Sequence, residues 1–144
     1  MFNGHYYNYV AKSITFDAAV AATTKLAIYK GMIGHLATIT SAAENEFVIT
    51  SFRSAKGWLA TTDLASEGSF YFIAGPEVGQ GLIYKNWASN QPDNARGNED
   101  CVEIYGTKWN DCDCSALNLG YYVEYDCPGV LVVGAYGCTC KFLP

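Results

Sequence analysis

GNEDCVEIYGTKWNDCDC (residues 97–114) gathers Glu99, Asp100, Asn110 and Asp111 around a short apolar centre, and QPD (91–93) just ahead of it adds Gln91 and Asp93. Nothing around these residues repeats at helical spacing. CVEIYG (101–106) reads as a strand, and residues 86–100 before it read as a long loop, a length that compact domains keep mainly for function. So many side-chain oxygens in one loop and the strand after it have two explanations. They are solvated surface charges, or they converge on a hard cation.

Upstream the pattern changes. TFDAAVAATTKLAIYKG, from Thr15 to Gly31, places Phe16, Ala19, Val20, Thr23, Leu26 and Ala27 at helical spacing, with Gly31 as the expected stop. Ser41-Ala42-Ala43-Glu44 is a capping box, in which hydroxyl and carboxylate each satisfy a free backbone donor. It predicts a second helix that turns Phe47, Val48 and Phe52 to one side and ends near Gly57. After Gly57 come short strands at 58–62, 69–73, 81–85, 101–106 and 120–126, separated by Asp, Gly, Asn and Pro clusters. An early strand from about Gly4 to Val10 is expected to pair with the last one. Helices first and antiparallel strands after make an α+β domain.

The chain has 144 residues, half of them hydrophobic and 15% aromatic, which suits one domain around one core. The longest apolar stretch, GVLVVGAY (129–136), is far shorter than the roughly 20 residues a bilayer needs, so no membrane insertion is expected. A formal net charge of −5 with no basic cluster argues against nucleic acid as a partner. All six cysteines follow residue 100, at 101, 112, 114, 127, 138 and 140. An even, crowded set of this kind predicts disulfides and an oxidising compartment, hence a secreted or cell-surface location, although the N-terminus lacks the features of a signal peptide. Zinc is the competing reading, but paired zinc cysteines are spaced by two to four residues and these pairs by one.

Taken together, these stretches resemble the C-type lectin-like domain family from about Gly4 to Asp126. GHLATITSAAENEFV (34–48) is similar to the opening of the family's second helix. WLATTD (58–63) is similar to its tryptophan-hydrophobic-glycine strand, with Ala60 in place of the glycine. NWASNQPD (86–93) is similar to the run into its long loop, and residues 97–114 match almost without gaps. The resemblance implies a double-looped α+β fold for residues 1–126, with two helices, antiparallel sheets and a long calcium-binding loop. Residues 127–144 are left as a Cys-rich C-terminal tail. It implies Ca2+ held by Gln91, Asp93, Glu99, Asn110 and Asp111, with the same five residues binding sugar. Pro92 falls on a proline that is cis in calcium-bound relatives, and the Gln-Pro-Asp order resembles galactose-type members. An auxiliary metal site in some relatives maps onto Asp63, Glu67, Glu99 and Asp100, with Asn94 where those relatives carry aspartate. Cys101 and Cys114 match the loop disulfide, which leaves Cys112 in need of a tail partner among Cys127, Cys138 and Cys140. The family's other disulfide falls on Thr23 and Val123, and both are non-cysteine.

The chemistry agrees with this. Calcium takes six to eight oxygens at about 2.3–2.6 Å in irregular geometry, and three carboxylates with two amides leave positions for water or sugar hydroxyls. Each sugar hydroxyl can also accept from an amide NH2 and donate to a carboxylate. Trp58, Trp87 and Trp109 are expected in the core rather than as sugar platforms. His35 is expected as a structural histidine and Arg96 as a solvated loop charge, while His5 carries no signal. The four loop carboxylates are enough for a glycosidase pair, but calcium would hold them ionised where a general acid needs a raised pKa. Calcium-dependent binding of galactose-type glycans without catalysis is the expected function. The alternative is a calcium-stabilised protein-interaction or adhesion module, favoured by the lack of an aromatic residue in Asn94 to Gly97.

Overall fold

The strand Gly57–Thr62 is buried at all six positions, as a strand covered on both faces must be. In the computed structural model it is β3 of a seven-stranded sheet. The structure describes residues 1–26, 28–117, 120–127, 129–134 and 137–141, with the backbone alone for 130, 131 and 137–139. The elements run β1 (Tyr6–Val10), α1 (Phe16–Thr23), β2 (Ile33–Leu36), α2 (Ala42–Ser51), β3, β4 (Tyr71–Phe72), β5 (Cys101–Tyr105), β6 (Lys108–Cys112), β7 (Gly120–Asp126), β8 (Val130–Gly134) and β9 (Gly137–Lys141). The main sheet is ordered β1-β7-β3-β5-β6, with β2 on β7 and β4 on β3.

Period-two alternation sorts side chains between two cores. Leu59, Val102, Ile104, Trp109 and Tyr122 face α2, where Val48 and Ile49 meet them. Trp58, Ala60, Cys101, Tyr121 and Val123 face α1, where Phe16 and Ala19 meet them. The early strand does pair with the last: β1 runs antiparallel to β7, with Tyr9 opposite Tyr122. The sheet is mixed rather than purely antiparallel, because β3 and β7 run parallel at Gly57–Gly120 and Trp58–Tyr121.

Several expected boundaries move. The first helix ends at Thr23, not near Gly31. Thr23 and Thr24 return their hydroxyls to the Val20 and Ala21 carbonyls, at 2.8 and 2.9 Å, and so take up acceptors at the helix end. Ala27 lies outside the described residues. Gly31 instead makes room for the tail. Its φ is +81°, and a Cβ there would stand 2.2 Å from the Cys140 carbonyl oxygen. The Cys140 N–H meets the Lys30 carbonyl at 2.8 Å, so this turn is where the tail docks. The second helix stops at Ser51, short of Gly57. Half of its capping box forms, with Ser41 Oγ accepting from the Glu44 N–H at 3.2 Å. The Glu44 carboxylate instead takes the Thr40 N–H at 2.7 Å and the Tyr7 hydroxyl.

Residues 81–85 do not form a strand. Gly81 makes one bridge to Tyr71, and the chain then turns so that the Asn86 carbonyl can serve Trp109 at 2.9 Å. The strand expected at 69–73 shrinks to Tyr71–Phe72. The strand β2 has no counterpart in the sequence reading.

Cys101 and Cys114 are disulfide-bonded, with Cα atoms 5.2 Å apart. Cys127 pairs with Cys140. This corrects the expectation for Cys112, which is a free thiol. Its residue is half-buried beside the α1-side core, and burial, then the Glu103 charge, push its pKa up to about 12. The Cys138 side chain lies outside the described residues. Replacing Cys101 and Cys114 together by alanine reopens a loop of sequence separation 13 and is expected to cost about 3 kcal/mol by chain entropy. Urea unfolding measures this, and an unchanged midpoint would contradict it.

Candidate functional site

The long loop is built upward from Trp109. This ring is fully buried, and its Nε1 donates to Asn45 Oδ1 at 2.9 Å. It meets Tyr84 and Trp87 edge to face, at 5.6 and 5.9 Å. Its backbone N–H meets the Asn86 carbonyl at 2.9 Å, and its carbonyl meets the Ala88 N–H at 2.8 Å. The outgoing leg of the loop is therefore strapped to β6 on both sides of Trp109. Trp58 is also fully buried, and Trp87 packs against the same core as Trp109, so all three tryptophans sit where expected.

Two residues further along β6, Asp111 stands opposite Val102 and is 1% exposed. Its Oδ1 accepts the Asp93 N–H at 3.2 Å and its Oδ2 the Asn94 N–H at 2.7 Å. Between Ala88 and Asp93 the chain turns through a cis Gln91–Pro92 bond. Gln91 Oε1 accepts from the Asp93 N–H at 3.1 Å. Beyond the turn, Asn94 has φ +43° and its Oδ1 takes the Glu99 N–H at 3.1 Å. Glu99 Oε2 in turn takes the Ala95 N–H at 3.0 Å. Backbone donors thus fix the Asp111 and Glu99 carboxylates before any ligand arrives.

The result is convergence. One carboxylate oxygen from each of Asp93, Glu99 and Asp111 lies within 4.8 Å of the others. No described ion pair neutralises them. Burial, then the charges of Asp111 and Asp93, raise the Glu99 pKa above its ordinary value, against the pull of the Ala95 N–H. A divalent cation is the occupant that reverses this repulsion, and oxygen donors of this kind fit a hard one.

Asn110 is placed differently from the other four. Its Nδ2 donates to Glu103 Oε1 at 3.2 Å and to the Asp111 carbonyl. Glu103 is 1% exposed, also approached by Lys56 Nζ at 3.4 Å, and its Oε2 has no partner. The sequence reading passed over it, although a lone charge inside the apolar strand CVEIY was the available signal.

Of the auxiliary positions, Asp63 is fully buried; its Oδ2 takes the Gly68 N–H at 2.7 Å and its Oδ1 has no partner. Burial, then the Glu67 and Asp100 charges, raise its pKa against that N–H. Glu67 accepts from the Asn94 amide, and the Asp100 carbonyl ties back to Thr62 Oγ1 at 2.6 Å. Arg96 is exposed in the short 3-10 turn Ala95–Gly97.

The Lectin C-type domain profile matches residues 27–121. The chain belongs to the C-type lectin domain family. An alpha-N-acetylgalactosamine-specific lectin of Patiria pectinifera is 34% identical over 125 residues, 79% of this chain and 70% of that one. Halomucin of Haloquadratum walsbyi is 32% identical over 136 residues, 86% of this chain but 1% of halomucin. The mouse scavenger receptor C-type lectin carbohydrate-recognition domain superposes with a TM-score of 0.70 at 27% identity, covering 86% of this chain and 92% of that one. The Patiria protein and the mouse domain are carbohydrate-binding lectins and not enzymes. Among the described residues no helix is long and apolar enough to cross a membrane.

The acidic partners of the two histidines of this lectin domain escaped the sequence reading. His5, which carried no signal, has its Nδ1 2.7 Å from Glu124 Oε1 and 2.5 Å from Asp126 Oδ1. His35 is the structural histidine expected, but it serves Asp126, with Nε2 2.7 Å from Oδ2. The available signal was β7 itself: Tyr122, Glu124 and Asp126 alternate onto one face, and a carboxylate on a core strand needs a cation.

Proposed function

We propose that this domain binds galactose-type glycans through a Ca2+ ion held by Gln91, Asp93, Glu99, Asn110 and Asp111. The convergence of Asp93, Glu99 and Asp111 carries this reading, because three mutually repelling carboxylates, those of Asp111 and Glu99 held by backbone donors, are a costly arrangement without a cation. Calcium supplies a Lewis-acidic centre whose open positions take two vicinal hydroxyls. The chain's own residues supply the choice between sugars. Gln91 presents an NH2 donor and Asp93 a carboxylate acceptor to the sugar hydroxyls. Asp63, Glu67, Asn94, Glu99 and Asp100 are proposed as an auxiliary calcium site; the partnerless buried oxygen of Asp63 supports it. Residues 1–126 form the recognition unit, with 127–144 as an appended segment, and the setting is extracellular or at the cell surface.

The experiment is an exchange. Gln91→Glu with Asp93→Asn keeps ligand count and charge but reverses donor and acceptor. A mismatched hydrogen bond to a charged group costs about 1.5–3 kcal/mol, so preference should move from galactose towards mannose by roughly tenfold or more, with calcium binding retained. Competition by the two free sugars against an immobilised glycan reads this out. Unchanged preference would remove the galactose assignment. A second reading, a calcium-stabilised protein-interaction module, rests on one observation: Asn94 to Gly97 offer no ring to stack on a sugar. Calcium binding without retention on any glycan would favour it.

A further inference from the structure

The second convergent cluster among the described residues lies outside the loop and shares no residue with it. It consists of His5, ahead of β1, with Glu124 and Asp126 on β7. We propose that His5 Nδ1, Glu124 Oε1 and Asp126 Oδ1 form a site for a zinc-type divalent cation.

The first argument is a shortage of protons. His5 Nδ1 stands 2.7 Å from Glu124 Oε1 and 2.5 Å from Asp126 Oδ1, and one ring N–H can point squarely at only one of them. Asp126 Oδ1 is buried and receives no hydrogen bond of good geometry, because the His5 Nδ1 beside it is shared with Glu124 Oε1. A buried oxygen so placed is served as well by a cation in the position of that shared proton. Without a metal ion the His5 ring proton fills part of this need. A metal ion and that proton are alternative occupants of one position.

The second argument is the support around the donors. Each carboxylate has its other oxygen fixed from behind, as metal-binding carboxylates do. Glu124 Oε2 takes the Thr38 N–H at 3.1 Å and the Thr38 hydroxyl at 3.0 Å. Asp126 Oδ2 meets His35 Nε2 at 2.7 Å, and His35 Nδ1 faces the Leu36 carbonyl at 2.8 Å. The Tyr7 hydroxyl, which also meets Glu44, lies 2.9 Å from Glu124 Oε1. This is one imidazole and two oriented carboxylates, each orientation set by a group that is not itself a donor to the ion.

The third argument is access. A cavity of about 150 Å3 opens on His5 and Glu124, with Glu44 and Glu77 also in its wall. His5 is 36% exposed at its side chain, so the ring can turn to admit an ion. The donor set then discriminates. Imidazole nitrogen with carboxylate oxygen, three donors and one open position, suits zinc far better than calcium, which wants six to eight oxygens.

The test uses the whole chain, stripped of metal and then saturated with calcium. Zn2+ is titrated by calorimetry, and Co2+ is used as a visible-absorption probe. One equivalent of Zn2+ is expected, with Co2+ bands that lack a thiolate charge-transfer component. His5→Gln should weaken Zn2+ binding by about tenfold or more, as should His35→Gln through the loss of support to Asp126. Calcium titration of the same variants should match the parent, so loss of zinc binding is distinguished from failure of the loop site. Absence of Zn2+ binding by the parent would overturn the proposal without any variant. So would a thiolate band, which places the ion on Cys112 or another cysteine, or equal Zn2+ affinity in His5→Gln.

Discussion

Trp109→Ala is expected to cost about 3–5 kcal/mol of folding free energy and to loosen the long loop with it. The side chain is fully buried between α2 and the loop leg, so truncation leaves a cavity that two neighbouring rings, Tyr84 and Trp87, cannot both collapse into. It also strands Asn45 Oδ1, a buried acceptor whose partner is the indole N–H at 2.9 Å. Leaving that group unmet accounts for about 1–3 kcal/mol of the loss. Trp109→Phe separates the two contributions, since it restores most of the volume and none of the hydrogen bond. Urea unfolding gives the free energies, and hydrogen exchange at Ala88 reports the loop, because its N–H is bonded to the Trp109 carbonyl. A loss under about 1 kcal/mol, or an unchanged Ala88 exchange rate, would show that the loop is held by something else.

Asp111→Asn is expected to weaken calcium by at least about a hundredfold, near 2.7 kcal/mol. The substitution is isosteric, so packing is not its cause. It removes one of three negative charges from the cluster, and ligand charge sets calcium affinity over several decades. It also sets donor against donor. Both Asp111 oxygens accept backbone N–H groups, from Asp93 and Asn94, and an amide NH2 in either place faces an N–H. The loop therefore loses both its ion and one of its ties to β6. Asp113→Asn is the control, since Asp113 is tied to Ser115 and Asn98 outside the cluster and should leave calcium affinity within about twofold. Calorimetric titration of both variants decides it.

The three carboxylates that converge, Asp93, Glu99 and Asp111, were legible in the sequence because they are local. Gln91 to Glu99 lie in one loop, and Asn110 and Asp111 lie in the strand paired to the one that follows it, so two short stretches contain the whole arrangement. The sequence reading expected one core, and the structure divides it in two, because period-two alternation within β3, β5 and β7 turns side chains to both faces of the sheet. What the sequence hid was long-range. β2 has four residues, of which Ile33 is half exposed, and it exists because β7 offers it an edge almost ninety residues away. The end of α1 depended on two threonine hydroxyls turning back to the helix, while Gly31, which looked like a helix stop, answers to the backbone of Cys140. Glu44 keeps a local partner in the fold, Thr40, and gains a distant one that no local pattern shows, Tyr7 of β1. His5 and Asp126 stand at opposite ends of the domain sequence, and no spacing rule connects them.

The central claim, sugar binding through a loop calcium ion, is tested most directly by retention of the domain on immobilised galactose with millimolar calcium and again with a chelator. Retention in calcium and release by chelator is the predicted result. No retention with calcium present, or retention that survives the chelator, would contradict it.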